Sequence, residues 1–159
     1  MGMRQSIKLV ISILICLAAG FLGSFFTTPA ISGWYREIQR PPFNPPDWIF
    51  APVWTILFVL MGISLFLIIK DWSGDKKFKT ALSLFIAQFI LNIAWSAIFF
   101  GAGNFGLAFI EIIILLISII LTALQFLKIN RPAAWLLLPY IIWVSFASFL
   151  NFSIWLLNR

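Results

Sequence analysis

Five apolar runs, each about as long as the roughly 20 helical residues needed to cross a bilayer's hydrocarbon core, decide what this chain can fold into. They lie near Ile7–Phe26, Trp48–Ile69, Ala81–Phe100, Phe105–Leu127 and Ala133–Leu157. A backbone in lipid must satisfy its polar groups internally, and a run of this length does so only as a helix. The runs consume nearly all 159 residues, so no soluble domain remains. The expected fold is an all-α integral membrane protein, a five-transmembrane-helix bundle forming one domain over residues 1–159. Composition agrees: 10% of residues are charged, against about 25% in soluble domains.

A net charge of +6 on a soluble protein would point to nucleic acid. Here the charge follows the membrane. With five spans, the N-terminus and the loops after spans two and four share one side, which carries Arg4, Lys8, Lys70, Lys76, Lys77, Lys79, Lys128 and Arg131. The other side carries Arg36, Arg40 and Arg159. The positive-inside rule therefore puts the N-terminus in the cytoplasm and the proline-rich loop, residues 28–47, outside. No nucleic-acid partner is expected.

That loop is the one long segment that is not an apolar helix. Pro41, Pro42, Pro45 and Pro46 fix φ and favour extended backbone, making it a stiff candidate lid. Pro29 and Gly33 are expected to end the first span, Asp47 to N-cap the second, and Pro52 to sit in its first turns. Gly101-Ala102-Gly103-Asn104-Phe105-Gly106 formally matches a dinucleotide fingerprint. That motif needs a preceding strand in a βαβ unit, so between two membrane helices it reads as a hairpin turn. Pro132 suits the first turn of the fifth span, and Pro139, inside that span, predicts a kink that frees the carbonyl of Trp135. Asn151-Phe152-Ser153 is a glycosylation sequon buried in a span and so unusable. Arg4 and Lys8 before an apolar run resemble a signal peptide, but the run is long and no clear cleavage site follows, so the helix reads as retained.

Ser12, Cys16, Ala19, Gly20, Gly23 and Thr27 recur every three or four residues and share one face of the first span. Small faces let helix backbones approach closely, either within the bundle or at a dimer seam. Cys16 reads as a small packing residue. There is no histidine and no cluster with metal-ligand spacing, so no metal site is expected. Nucleophile–base pairs and phosphate loops are also missing, which removes hydrolase and kinase readings.

Glu111 is the single acidic residue within a span. A carboxylate at mid-bilayer costs about 2.5–3.5 kcal/mol on insertion scales, which makes it a candidate proton carrier or ligand partner. A structural hydrogen bond to a neighbouring helix is the plainer alternative. In the third span Asn92, Trp95, Ser96 and Phe99 cluster, and in the fifth Trp143, Ala147, Leu150 and Asn151 share a face. With Trp54 and Phe58 they outline an aromatic cavity wall with a few polar atoms, suited to a large apolar ligand. Tryptophans also anchor helices at interfaces, a role that Trp48, Trp72, Trp135 and Trp155 suit by their places near span ends. Trp54, Trp95 and Trp143 lie deeper.

The run Trp34-Tyr35, Arg40-Pro41-Pro42-Phe43-Asn44-Pro45-Pro46 and Pro52-Val53-Trp54 resembles the TspO/translocator protein family, the tryptophan-rich sensory proteins whose mammalian members are called peripheral benzodiazepine receptors. The likeness continues through Met61-Gly62, Asn92-Ile93-Ala94-Trp95-Ser96 and Phe99-Phe100 to Pro139-Tyr140-Ile141-Ile142-Trp143 and Ala147-Ser148-Phe149-Leu150-Asn151. It covers essentially the whole chain.

The resemblance implies a five-helix bundle, usually a homodimer, with a ligand cavity under the first loop. It implies protoporphyrin or haem as ligand rather than as a required cofactor, with isoquinoline- and benzodiazepine-type drugs as further occupants. Site residues carried over are Tyr35, Trp54, Phe58, Asn92, Trp95, Trp143, Ala147 and Leu150, beside Ser96 and Phe99 from the cluster above. Some bacterial relatives degrade protoporphyrin in light and oxygen, which would make Trp54 and Trp143 the catalytic candidates. The cholesterol pattern of mammalian members needs a tyrosine near the C-terminus, where this chain has Phe152, so that recognition is not expected. Three functions stay open at this point: a tetrapyrrole receptor or carrier, a porphyrin-degrading enzyme, and a proton-coupled transporter using Glu111. The short N-terminus suits a bacterial plasma membrane.

Overall fold

The computed structural model describes residues 2–159. Its helices are α1 (Met3–Ser32), α2 (Phe50–Ile69), α3 (Lys76–Ser96), α4 (Phe105–Leu127), α5 (Arg131–Trp135) and α6 (Leu138–Leu157). Five helical units are long and apolar enough to cross a membrane, the last formed by α5 and α6 together. The fold is an all-α membrane bundle, and the expected fourth span, 105–127, coincides with α4.

Large apolar side chains face outward. Ile7, Val10, Leu14, Phe21 and Phe25 of α1 and Ile110, Ile114, Ile117 and Leu121 of α4 are exposed. Small and polar residues face inward, including Ser12, Cys16, Ala19 and Gly23 of α1. Lipid supplies no hydrophobic drive between helices, so close packing and hydrogen bonds hold the bundle. Ser12 and Cys16, on the small face of α1, are buried where α1 packs against its neighbours in the bundle.

Local chemistry sets the helix ends. Asp75, Asn104 and Asn130 each accept a hydrogen bond from the backbone N–H three residues on, at 3.3, 3.0 and 3.1 Å, and so cap α3, α4 and α5. Gly103, at φ +63°, makes the left-handed step of the hairpin between α3 and α4. Before that turn, Ala97–Gly101 widens into a π-helical turn, with the Ala102 N–H bonded to the Ala97 carbonyl at 2.9 Å. The wider turn lets consecutive rings, Phe99 and Phe100, both point inward, where both are buried.

Three expectations need correction. The first helix does not stop at Pro29; it runs from Met3 through Pro29 to Ser32 and ends at Gly33, because a membrane helix tolerates proline when the bonds around it are met. The third span starts earlier than residue 81, at Lys76, where Asp75 caps it. Asp47 does not cap α2: its carboxylate is taken by Arg40 at 3.0 Å. The fifth span is interrupted just before Pro139, in keeping with the disruption expected there. The chain breaks at Leu136–Leu137, and Pro139 falls in the first turn of α6, where its missing N–H costs no intrahelical bond. Among the tryptophans, Trp48, Trp72 and Trp135 are exposed near helix ends, whereas Trp155 is half-buried and stacks on Phe109.

Candidate functional site

The loop between α1 and α2 is fastened at three points. Tyr35, buried in a short 3-10 turn, donates its hydroxyl to Asn44 Oδ1 at 2.9 Å, and Asn44 Nδ2 donates to the Pro45 carbonyl. Arg40 pairs with Asp47 and lies over the Tyr35 ring, 5.3 Å from its centroid. Asn158, just past α6, accepts from the Gln39 N–H at 3.0 Å and donates to the Gln39 carbonyl at 2.8 Å. Burial pushes the Tyr35 phenol up to about 12, against the opposing pull of the Arg40 guanidinium. The hydroxyl therefore stays protonated near neutral pH and keeps its bond to Asn44.

Beneath the loop lies a cavity of about 520 Å³ between α1, α2 and α3. Trp54, Phe58, Asn92, Trp95 and Ser96, all expected site residues, line it. So do Phe50 and Phe100, and along α1 the residues Leu17, Gly20, Ser24, Thr27, Thr28 and Ser32. Arg36 and Asp47 stand at its loop end. From Ser32 down to Leu17 the wall runs along α1 for roughly 22 Å.

The remaining expected residues fall elsewhere. Tyr35, Phe99, Trp143, Ala147 and Leu150 surround a separate void of about 20 Å³, room for little more than one water. Trp54, Trp95, Phe50 and Phe100 border both spaces and form the partition. Trp54 stacks on Phe58 at 5.6 Å and meets Tyr140 edge-on, while Trp95 stacks on Phe99 at 5.2 Å. The expected pocket is thus two compartments that share an aromatic wall.

Polar bonds hold that wall. Asn92 Nδ2 donates to the Tyr140 hydroxyl at 2.8 Å. Trp95 Nε1 donates to Asn151 Oδ1 at 3.1 Å, and Asn151 Nδ2 donates to the Phe105 carbonyl at 2.9 Å. Asn151 is therefore a brace joining α3, α4 and α6. Trp143 Nε1 is buried without a partner. Glu111 is 7% exposed and neither of its oxygens has a partner, so the structural hydrogen bond open to it is absent. Gln88, not singled out from the sequence, is likewise buried with both amide atoms unpartnered.

The α1 wall, Arg36, Asp47, Phe50 and Phe100 were not among the expected site residues. The available signal was the small-residue stripe on α1, since small side chains that permit close packing also leave a void where the partner helix stands off. No group of three or more potential metal ligands occurs among the described residues.

A five-span bundle with a partly aromatic cavity beneath a fastened loop defines a small polytopic membrane protein. The model of the TspO/MBR family matches residues 12–156. The chain is 44% identical to the tryptophan-rich protein TspO of Chlorobaculum tepidum over 155 residues, covering 98% of each chain. It is also 44% identical to the protein of the same name from Archaeoglobus fulgidus, covering 96% of this chain and 97% of that one. To the translocator protein of Ovis aries it is 38% identical, over 88% of this chain and 83% of that protein. The chain belongs to the TspO/MBR family.

Proposed function

We propose that this protein is a membrane receptor or carrier for porphyrin-like tetrapyrroles, which it holds in the α1–α2–α3 cavity beneath the loop. The observation that carries this reading is the cavity itself. Its 520 Å³ falls within the roughly 300–1,000 Å³ of small-molecule sites, and its lining combines stacking surface from Trp54, Phe58 and Trp95 with the single amide of Asn92. A flat, largely apolar macrocycle matches such walls; smaller isoquinoline- or benzodiazepine-type aromatics are its competitors for the same space. The translocator name carried by the sheep relative supports a carrier role. The excess of Lys and Arg around Lys70–Lys79 and Lys128–Arg131 supports a cytoplasmic N-terminus, with the cavity's loop end on the opposite side of the membrane.

Titration with protoporphyrin in the dark, followed by tryptophan fluorescence in lipid nanodiscs, tests the site. Trp54→Ala is expected to weaken binding about ten-fold, as loss of a central aromatic anchor does. Trp143→Phe, outside the large cavity, is expected to leave affinity unchanged. Saturable binding that ignores Trp54→Ala, in a variant that melts like the parent, rules out this cavity.

A second reading, proton-coupled transport, is favoured by the unpartnered carboxylate of Glu111. It predicts that protoporphyrin uptake into liposomes responds to a pH gradient and that Glu111→Gln abolishes the response. Uptake that is indifferent to both removes the reading.

A further inference from the structure

The end of the bundle opposite the proline-rich loop gathers positive charge that the protein does not neutralise. Gln125 Nε2 donates to the Lys77 carbonyl at 3.1 Å, tying the end of α4 to the start of α3. The Ser64 hydroxyl donates to the Ala133 carbonyl at 2.7 Å, tying α5 to α2. These ties set two connections, 70–75 and 128–130, on one rim with Lys76, Lys77, Lys79, Lys128 and Arg131, all exposed. Two carboxylates stand beside them. Asp71 lies 4.0 Å from Lys70, and Asp75 accepts from the Ser73 hydroxyl at 2.9 Å and the Phe78 N–H at 3.3 Å. Among the described residues, none of the five exposed cations forms a salt bridge. The same rim carries the marks of a bilayer surface. Trp72 and Trp135 are 41% and 64% exposed there, and indoles settle at headgroup level. Next to the rim, Leu121, Leu124 and Leu127 give the last turns of α4 an exposed apolar flank.

From these free cations above an apolar flank we infer that the α3–α4 end of the bundle binds an anionic phospholipid. The rim lysines hold its phosphate, and its acyl chains lie along α4. Lysine suits the task, because its ammonium meets phosphate as a point charge while its methylene stem covers apolar surface. Lys77 is already placed this way, with its ammonium 5.4 Å from the centroid of the Phe78 ring. A cation near an anionic headgroup is worth about five-fold in affinity. Hydration and salt trim the sum, so the expected preference over a zwitterionic lipid is about ten-fold. The site is independent of what the cavity holds.

Native mass spectrometry of the full chain in neutral detergent counts single bound lipids and so tests the site. The first phosphatidylglycerol is expected to bind about ten-fold more tightly than phosphatidylcholine of the same acyl chains, and less so as salt rises. Changing Lys76, Lys77, Lys79 and Lys128 together to Gln should erase the preference. Changing the same four to Arg should keep it, which separates lost charge from a damaged fold. Arg4→Gln with Lys8→Gln, on α1 at the same side of the membrane, should leave it unchanged. Equal binding of the two lipids by the wild type, or a preference that survives the four Gln changes, overturns the site. An equal loss from the Arg4 and Lys8 changes would mean a diffuse field instead of a site, and overturns it as well. Glycerol phosphate, the headgroup chemistry without acyl chains, should not displace bound phosphatidylglycerol at matched concentration. Displacement would mean that the rim reads soluble phosphate esters, and the lipid assignment falls.

Discussion

Asn151→Leu is expected to lower the unfolding stability of this bundle by about 3 kcal/mol, although the side chain changes little in volume. Asn151 is 1% exposed and bonded at both ends of its amide, to the indole of Trp95 and the carbonyl of Phe105. Leucine would leave an indole N–H and a backbone carbonyl buried without partners. Each such group costs about 1–3 kcal/mol, and lipid offers no water to take over. A thermal melt in nanodiscs reads the loss directly. Combining the change with Trp95→Phe removes both halves of one bond, so the double variant should lose less than the sum of the singles. A melting temperature for Asn151→Leu equal to that of the parent defeats the brace.

The brace also shows what could be read from the chain and what could not. The spans were legible because length and apolarity are properties along one dimension, and α4 was placed to the residue. Likewise, helical spacing put Asn92, Trp95 and Ser96 together on the third span, whereas their meeting with Trp54 and Phe58 of the second was implied by the family resemblance. Asp47 was misplaced because sequence position favours the nearest role, a helix cap, whereas the fold brings Arg40 back to it across a proline-stiffened turn. The division of the pocket was out of reach for a related reason. Whether Trp143, Ala147 and Leu150 open onto the same space as Trp54 depends on how α6 is set after the break at Leu136–Leu137, which no periodicity encodes. The α1 wall was hidden because its signal is an absence of bulk, and that pattern describes close packing and a void equally well.

Gly62→Ala and Gly20→Ala separate those two uses of a small residue, since each adds one methyl group where α1 meets α2. At Gly62 the new Cβ would lie 2.5 Å from Ile13 Cα and 3.0 Å from Ile13 N. Those are backbone atoms with no rotamer to retreat into, so the helices must part. The expected cost is about 2–3 kcal/mol, the upper end for overpacking, despite alanine's better helix propensity. At Gly20 the new Cβ would lie 2.6 Å from Phe58 Cδ2 and Cε2, atoms of a ring that can turn. Relief there moves Phe58 toward the cavity that both residues line, so stability should change little while protoporphyrin affinity falls. Melting curves and dark fluorescence titrations on the two variants should therefore give opposite patterns. A Gly62→Ala protein as stable as the parent would mean that α1 and α2 do not meet as closely as 2.5 Å implies, and with that the α1 wall of the cavity would lose its support.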